Sequence, residues 1–214
     1  MKIKWIGHSC FLIEGDGVRI ITDPYDERLP YRPPDFPADV VTVSHEHFDH
    51  NAVSRVKGNP EVVRGVGEHV ARGINFVGIK SYHDEEGGAK RGENTIFKFA
   101  LEGITLAHFG DFGQRLTDEQ AAALADVEAV FIPVGGYFTI GPDEALEVIR
   151  RLPNLRVVFP MHYKTDILGD DFPIAPVENF SRRVQNVRRI GSSEVSLTKE
   201  SLPATQEVWI LDYA

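Results

Sequence analysis

The stretch Ser44-His45-Glu46-His47-Phe48-Asp49-His50 sets His45, His47, Asp49 and His50 within six consecutive positions. Imidazole and carboxylate are the side chains that hold zinc and similar divalent metals at nitrogen/oxygen sites. The run follows Asp39-Val40-Val41-Thr42-Val43, a short apolar segment that reads as a buried strand. A solvated polar loop after a strand would explain the polarity. It would not explain so many ligand-type side chains so close together. In an extended loop, positions i and i+2 point the same way, so His45 and His47 can face one ion. Asp49 and His50 lie just beyond and can face a second. One ion would rarely take all four from so short a loop without strain. The spacing therefore argues for two ions, each needing further ligands from elsewhere in the chain.

At 214 residues the chain is expected to form one domain, residues 1–214, with a substantial core. Its 42% hydrophobic and 26% charged residues are those of a soluble globular protein. Met1-Lys2-Ile3-Lys4-Trp5-Ile6 alternates polar and apolar, as a strand does and a signal peptide does not. No run is long enough to span a membrane. Cys10 is the only cysteine, which excludes an intrachain disulfide and fits a reducing, cytoplasmic setting. The net charge of −9 argues against a phosphate-backbone partner, so no nucleic acid and no membrane is expected.

Phe11-Leu12-Ile13 and Val18-Arg19-Ile20-Ile21-Thr22 flank Gly15-Asp16-Gly17 and predict a hairpin. Residues 24–37 hold five prolines and read as a loop. Further strands are predicted at 61–64, 74–79, 94–100, 103–108, 128–133, 155–159, 194–198 and 206–211. Thr117-Asp118-Glu119-Gln120 is a capping box opening a helix to about residue 125. Pro142-Asp143-Glu144 opens a second helix, Pro176-Val177-Glu178 a third, and residues 67–72 read as a short helix carrying His69 on the surface. This order, β-rich and then alternating, indicates a layered α/β domain.

Three later segments each end an apolar run on ligand-type residues. They are Ser81-Tyr82-His83-Asp84, His108-Phe109-Gly110-Asp111 and Pro160-Met161-His162-Tyr163. A lone histidine after a strand is more often a hydrogen-bonded structural residue. The heptapeptide changes that weighting, because its ions need partners.

With these residues in view, the chain resembles the metallo-β-lactamase superfamily, whose signature is His-x-His-x-Asp-His followed by separate His, Asp and His ligands. Within it the chain is most similar to small hydrolases related to L-ascorbate-6-phosphate lactonase. The likeness is carried by Gly7-His8-Ser9-Cys10-Phe11, Thr22-Asp23-Pro24, Ser44 to His50, Gly110-Asp111, Pro133 to Thr139 and Pro160 to Tyr163, in the family's order. It implies a four-layer αβ/βα sandwich with the site at one edge. It also implies that His45, His47 and His83 hold a first metal, that Asp49, His50 and His162 hold a second, and that Asp111 bridges them. The implied activity is hydrolysis of a small ester, lactone or phosphorylated metabolite by a water or hydroxide activated between two divalent ions. Asp49 and Asp111 are the expected catalytic carboxylates. Zinc is the expected metal, with Mn2+ or Fe as alternatives. Position 47 is His where redox di-iron members usually carry Glu, which favours hydrolysis over oxygen chemistry. The rival readings are a nucleic-acid phosphodiesterase and a non-catalytic metal-binding or redox di-iron protein.

Other residues complete the expectations. Asp23 is placed to accept a hydrogen bond from a ligand imidazole or to cap the turn into Pro24. His8 belongs at the site mouth or in packing, and His108 beside the ligands. Cys10 reads as a small core residue. Gly135-Gly136 permits a tight turn or a close approach to substrate. Lys90, Arg91, Arg115 and Lys164 lie near ligand segments and are candidates to grip an anionic substrate, against the alternative of solvated surface charge.

Overall fold

The computed structural model describes residues 1–214. Apart from one helical turn, the regular elements of the first half are all strands: β1 (Lys2–Gly7), β2 (Cys10–Gly15), β3 (Val18–Thr22), β4 (Val40–Val43), β5 (Glu61–Arg64), β6 (Gly67–Ala71), β7 (Ile74–Tyr82) and β8 (Glu93–Leu101). Then strand and helix alternate: β9 (Ile104–His108), α1 (Asp118–Ala123), β10 (Ala129–Pro133), α2 (Pro142–Arg150) and β11 (Val157–Met161). The chain closes with α3 (Glu178–Ser181), β12 (Val187–Arg189), β13 (Glu194–Ser196) and β14 (Glu207–Ile210).

Two sheets form. The six-stranded sheet runs β13-β1-β2-β3-β4-β5 and the eight-stranded sheet β12-β14-β11-β10-β9-β8-β7-β6. Period-2 alternation decides which side chains fill which layer. Ile3, Trp5, Phe11, Ile13, Ile20 and Val40 point into the cluster between the sheets, where Phe11 meets Phe131 of β10 at 4.5 Å. Their neighbours Ile6, Cys10, Leu12, Ile21, Val41 and Val43 point outward, onto Tyr25, Leu29, Tyr31, Val56 and Ile174. On the far side, Leu124, Ala145, Val148, Ile149 and Phe180 lay the helices against the eight-stranded sheet. The result is an αβ/βα sandwich whose outer layer on the six-stranded side is mostly loop, with one helical turn at Val53–Arg55. Burying each large apolar side chain contributes about 2 kcal/mol, so the interior of both sheets is a firm base for what their ends carry.

The hairpin at residue 16 and the capping box at Thr117 form; Gln120 N–H donates to Thr117 Oγ1 at 3.2 Å, and Thr117 N–H to Gln120 Oε1 at 3.0 Å. The helix expected at 67–72 does not form. That segment is β6, paired antiparallel with β7 through a two-residue turn in which Arg72 and Gly73 both have positive φ (50° and 77°). A stretch this short, between glycines 65, 67 and 73, cannot recover the cost of helix nucleation. A hairpin recovers its cost through cross-strand pairing instead. His69 therefore sits on an edge strand, its Nε2 3.0 Å from Gly65 O. The third helix is a single turn, and Arg188-Arg189 lie on β12, a short exposed strand the charge pattern conceals.

Candidate metal centre

The ends of β1, β3, β4, β7, β9 and β11 gather at one edge of the sandwich. His8 follows β1, Asp23 follows β3, His45 to His50 follow β4, His83 follows β7, Asp111 lies three residues past β9, and His162 follows β11. Each chain must turn sharply there. His8, Asp23 and His162 all have positive φ (52°, 40° and 50°), a conformation that costs a non-glycine residue about 1 kcal/mol or more. Gly110 (φ 56°) takes the tightest of these turns: a Cβ there would lie 2.4 Å from Asn94 Oδ1 and 2.5 Å from Ser44 Cβ. Gly135 serves close packing, since a Cβ would meet His162 O at 2.2 Å.

Two donor groups result. His45, His47 and His83 form one, with His45 Nε2 3.0 Å from His47 Nδ1. His8, His50, Asp111 and His162 form the other, all four buried. Asp111 touches both. Its Oδ2 lies 3.1 Å from His83 Nε2 and 3.9 Å from His45 Nε2 on one side, and 3.5 Å from His162 Nε2 on the other, while its Oδ1 lies 3.2 Å from His50 Nε2. Asp49 stands at the rim of the second group, its side chain 19% exposed, with Oδ2 3.3 Å from His8 Nε2 and 3.9 Å from His50 Nε2.

Hydrogen bonds behind these groups set which ring nitrogens face inward. Asp23, fully buried, accepts from Ser44 N–H (2.8 Å), Ser44 Oγ–H (2.6 Å) and His50 Nδ1 (2.9 Å). Because the Ser44 hydroxyl spends its proton on Asp23, its oxygen accepts from His45 Nδ1, 3.0 Å away. One carboxylate thus turns the Nε2 lone pairs of His50 and of His45 inward, one in each donor group. Burial, helped by the charge on His50, pushes the His45 imidazole down to about 3, so it is neutral and able to donate at neutral pH. Burial also opposes a charge on His50, yet Asp111 and Asp49 raise its proton affinity well above the usual imidazole range. Burial would likewise raise Asp111, but His162 and His50 hold it well below the usual carboxylate range. The field that favours a proton here favours a metal cation more, and the two compete.

The residues fit a metal. His50 Nε2 and Asp111 Oδ1 are buried and make no aligned hydrogen bond despite their closeness, and the same holds for both His8 ring nitrogens. Buried polar atoms without partners are costly and uncommon. Here they converge from several strands, as donors around a shared cation do.

Other expected residues fall elsewhere. His108 lies behind the donor groups: its Nδ1 is 3.9 Å from Asp23 Oδ2 and 3.3 Å from Gly110 N, and its Nε2 is 2.8 Å from Ser9 O, so it braces the turn leading to Asp111. His8 is not at a mouth but inside the second group, its ring 4.1 Å from that of His162. Lys164 Nζ donates to Asp170 O at 2.7 Å, and Lys90 pairs with Glu86. Two supports were not legible. Asn94 takes the Asp111 N–H on Oδ1 (3.0 Å) and donates to Ser81 Oγ (2.7 Å) and Phe109 O (2.8 Å). Asp84 collects the N–H groups of Glu86, Gly88, Lys90 and Arg91. An asparagine at the start of a strand carries no local signal of such a role. Asp84 follows His83 directly, and the glycines at 87, 88 and 92 hinted at a folded loop.

Fold and donor set together define a metal-centre hydrolase built on an αβ/βα sandwich. The profile of the Beta-lactamase superfamily domain matches residues 2–162, and the chain belongs to the metallo-β-lactamase superfamily as one of its metal-dependent hydrolases. It is 31% identical over 216 residues to a UPF0173 metal-dependent hydrolase of Pyrobaculum neutrophilum, covering 88% of this chain and 94% of that one. It is 29% identical to a UPF0173 metal-dependent hydrolase of Thermococcus kodakarensis, covering 77% and 85%. The crystal structure of a Thermotoga maritima protein, assigned as a Zn-dependent hydrolase of the metallo-beta-lactamase superfamily, superposes with a TM-score of 0.84. The two sequences are 37% identical, over 100% of this chain and 99% of that one. No helix is long and apolar enough to cross a membrane.

Proposed function

We propose that the protein is a two-metal hydrolase, with zinc as the working metal, acting on a small ester, lactone or phosphorylated metabolite. The observation that carries this reading is the position of Asp111, within 4 Å of imidazoles from both donor groups. His45, His47 and His83 would hold one ion. His50, His162 and Asp49 would hold the other, and Asp111 would face both. The imidazole-rich donor set suits zinc, and the Thermotoga maritima relative is assigned as Zn-dependent.

When bound, the ions supply a nucleophile from water at neutral pH and polarise the substrate oxygen. The chain's own groups do the rest. Asp23 and Ser44 fix the ring orientations of His50 and His45 before substrate arrives, so no reorganisation is needed during reaction. Asp111 carries buried negative charge where the attacking water loses its proton. Asp49, the one carboxylate of the centre partly open to solvent, is placed to pass that proton between the site and bulk water. Water adds to the carbonyl or phosphoryl centre, the scissile ester bond breaks, and the leaving oxygen takes up a proton.

A hydrolysis panel tests this. The Zn2+-loaded protein is expected to turn over p-nitrophenyl esters, a lactone series or phosphomonoesters well above its activity on single-stranded RNA and DNA. Nuclease turnover exceeding all three small-molecule classes would sink the substrate assignment.

A further inference from the structure

Beside the metal centre lie two clefts that share a single side chain. One, of about 550 Å³, is lined by His83, Arg91, Tyr137, Phe138 and Glu144 among others. The second, of about 470 Å³, is lined by His45, His47, Arg64 and Arg91 among others. Both volumes suit a small-molecule ligand. Arg91 is the only residue common to both.

Three observations set Arg91 apart. First, it is the only lysine or arginine lining either cleft that has no carboxylate partner: Lys90 is paired with Glu86, and Arg64 with Glu46. Its guanidinium instead lies 5.7 Å from the centre of the Phe138 ring. That contact holds the plane without consuming its hydrogen-bond donors. Second, its backbone is pinned to the metal centre. Arg91 N–H donates to Asp84 Oδ2 at 2.7 Å, and His83 N–H donates to Gly92 O at 3.1 Å. Third, the loop is built for rigidity. Asp84, 4% exposed, gathers backbone N–H groups from Glu86, Gly88, Lys90 and Arg91, which fixes the path from His83 to Arg91. A rigid loop holding one free guanidinium next to His83 is a preorganised anion receptor. Tyr137, 65% exposed, packs on Phe138 at 4.7 Å and offers an apolar face alongside.

We infer that Arg91, seated on Phe138, is the specificity-determining residue that grips a phosphate or carboxylate on a small organic substrate whose reacting bond lies at the metal centre. The inference deepens the hydrolase reading and rests on it for the substrate's place in the site. Glu85, Glu86 and Glu144 around the same cleft disfavour a polyanionic chain, so the ligand carries one anionic group. Both anions match the planar fork of arginine, and lysine reproduces the charge without the fork.

The test uses the Zn2+-loaded full chain and measures binding of inorganic phosphate and of succinate by calorimetry. The proteins are wild type, Arg91→Met, Arg91→Lys and, as a control remote from the clefts, Arg182→Met. Because the Arg91 side chain makes no hydrogen bond or ion pair and only rests on Phe138, its variants should melt close to wild type. Arg91→Met should weaken anion binding roughly ten- to a hundredfold, the scale of losing charge-assisted hydrogen bonds. Arg91→Lys should fall between, and Arg182→Met should match wild type. A loss confined to phosphate identifies a phosphorylated substrate, and one confined to succinate a carboxylate. In parallel, Arg91→Met should raise KM for mono-p-nitrophenyl succinate by roughly tenfold or more while leaving p-nitrophenyl acetate unchanged. Equal anion binding by wild type and Arg91→Met overturns the inference, as does a wild type that binds neither anion. If wild type hydrolyses neither ester while Arg91→Met still loses anion binding, ester hydrolysis falls and the Arg91 subsite stands.

Discussion

Asp111→Asn is expected to lower kcat/KM by about a thousandfold or more, since a loss of about 4 kcal/mol of transition-state stabilisation corresponds to three tenfold steps. The side chain keeps its shape but loses the charge that faces imidazoles of both donor groups. An amide donates as well as accepts, so one side of the new side chain would point N–H groups at nitrogens whose lone pairs must face a cation. The backbone should survive, because Asn94 Oδ1 accepts the N–H of residue 111 and not its side chain. The measurement is steady-state kinetics with metal analysis on the same sample. A variant with near-normal turnover and metal content would show that Asp111 does not join the two groups.

Stripping the metal with a strong chelator is expected to abolish hydrolysis and to lower the melting temperature. A ligand held at a thousand times its dissociation constant contributes about 4 kcal/mol, and for a chain of this size that amounts to about 10 °C. The source of the effect is visible at His50 Nε2 and Asp111 Oδ1, buried atoms with no aligned protein partner. Adding Zn2+ back should restore both properties. The difference in melting temperature should shrink at mildly acid pH, where protons compete with metal for the imidazoles and weaken its binding. Differential scanning fluorimetry with and without chelator decides it, and superimposable melts would refute a structural contribution from metal.

How much of this was legible beforehand follows from the range over which each signal acts. His45 to His50 could be read because their spacing is local, and the strand before them is a continuous apolar run. Spacing alone presents His83, Asp111 and His162 only as strand-end residues, and it is the family resemblance that implies their roles as ligands. What brings them together is the parallel order β9-β10-β11 and the meeting of the two sheets, both long-range. Asp23 was placed by its position after an apolar strand, but its link to His45 runs through Ser44, which no spacing rule reveals. His8 was harder still. It lies far from the motif in sequence, and only the closed sheets put its ring against His162. The segment 67–72 misled because its composition suits a helix weakly, whereas its pairing with β7 is decided by neighbours. Arg91 stands in the sequence as one of four basic candidates near ligand segments, with nothing local to separate it from Lys90, Arg115 and Lys164. Its distinction is the lack of a partner, a property of the folded surface and not of the chain.

The central claim is that two metal ions sit on either side of Asp111. The most direct measurement is elemental analysis of the purified protein after saturation with Zn2+ and removal of free ion. Two equivalents per chain in wild type are predicted, with a clear loss in Asp111→Asn. A wild-type content of one equivalent or none would contradict the account.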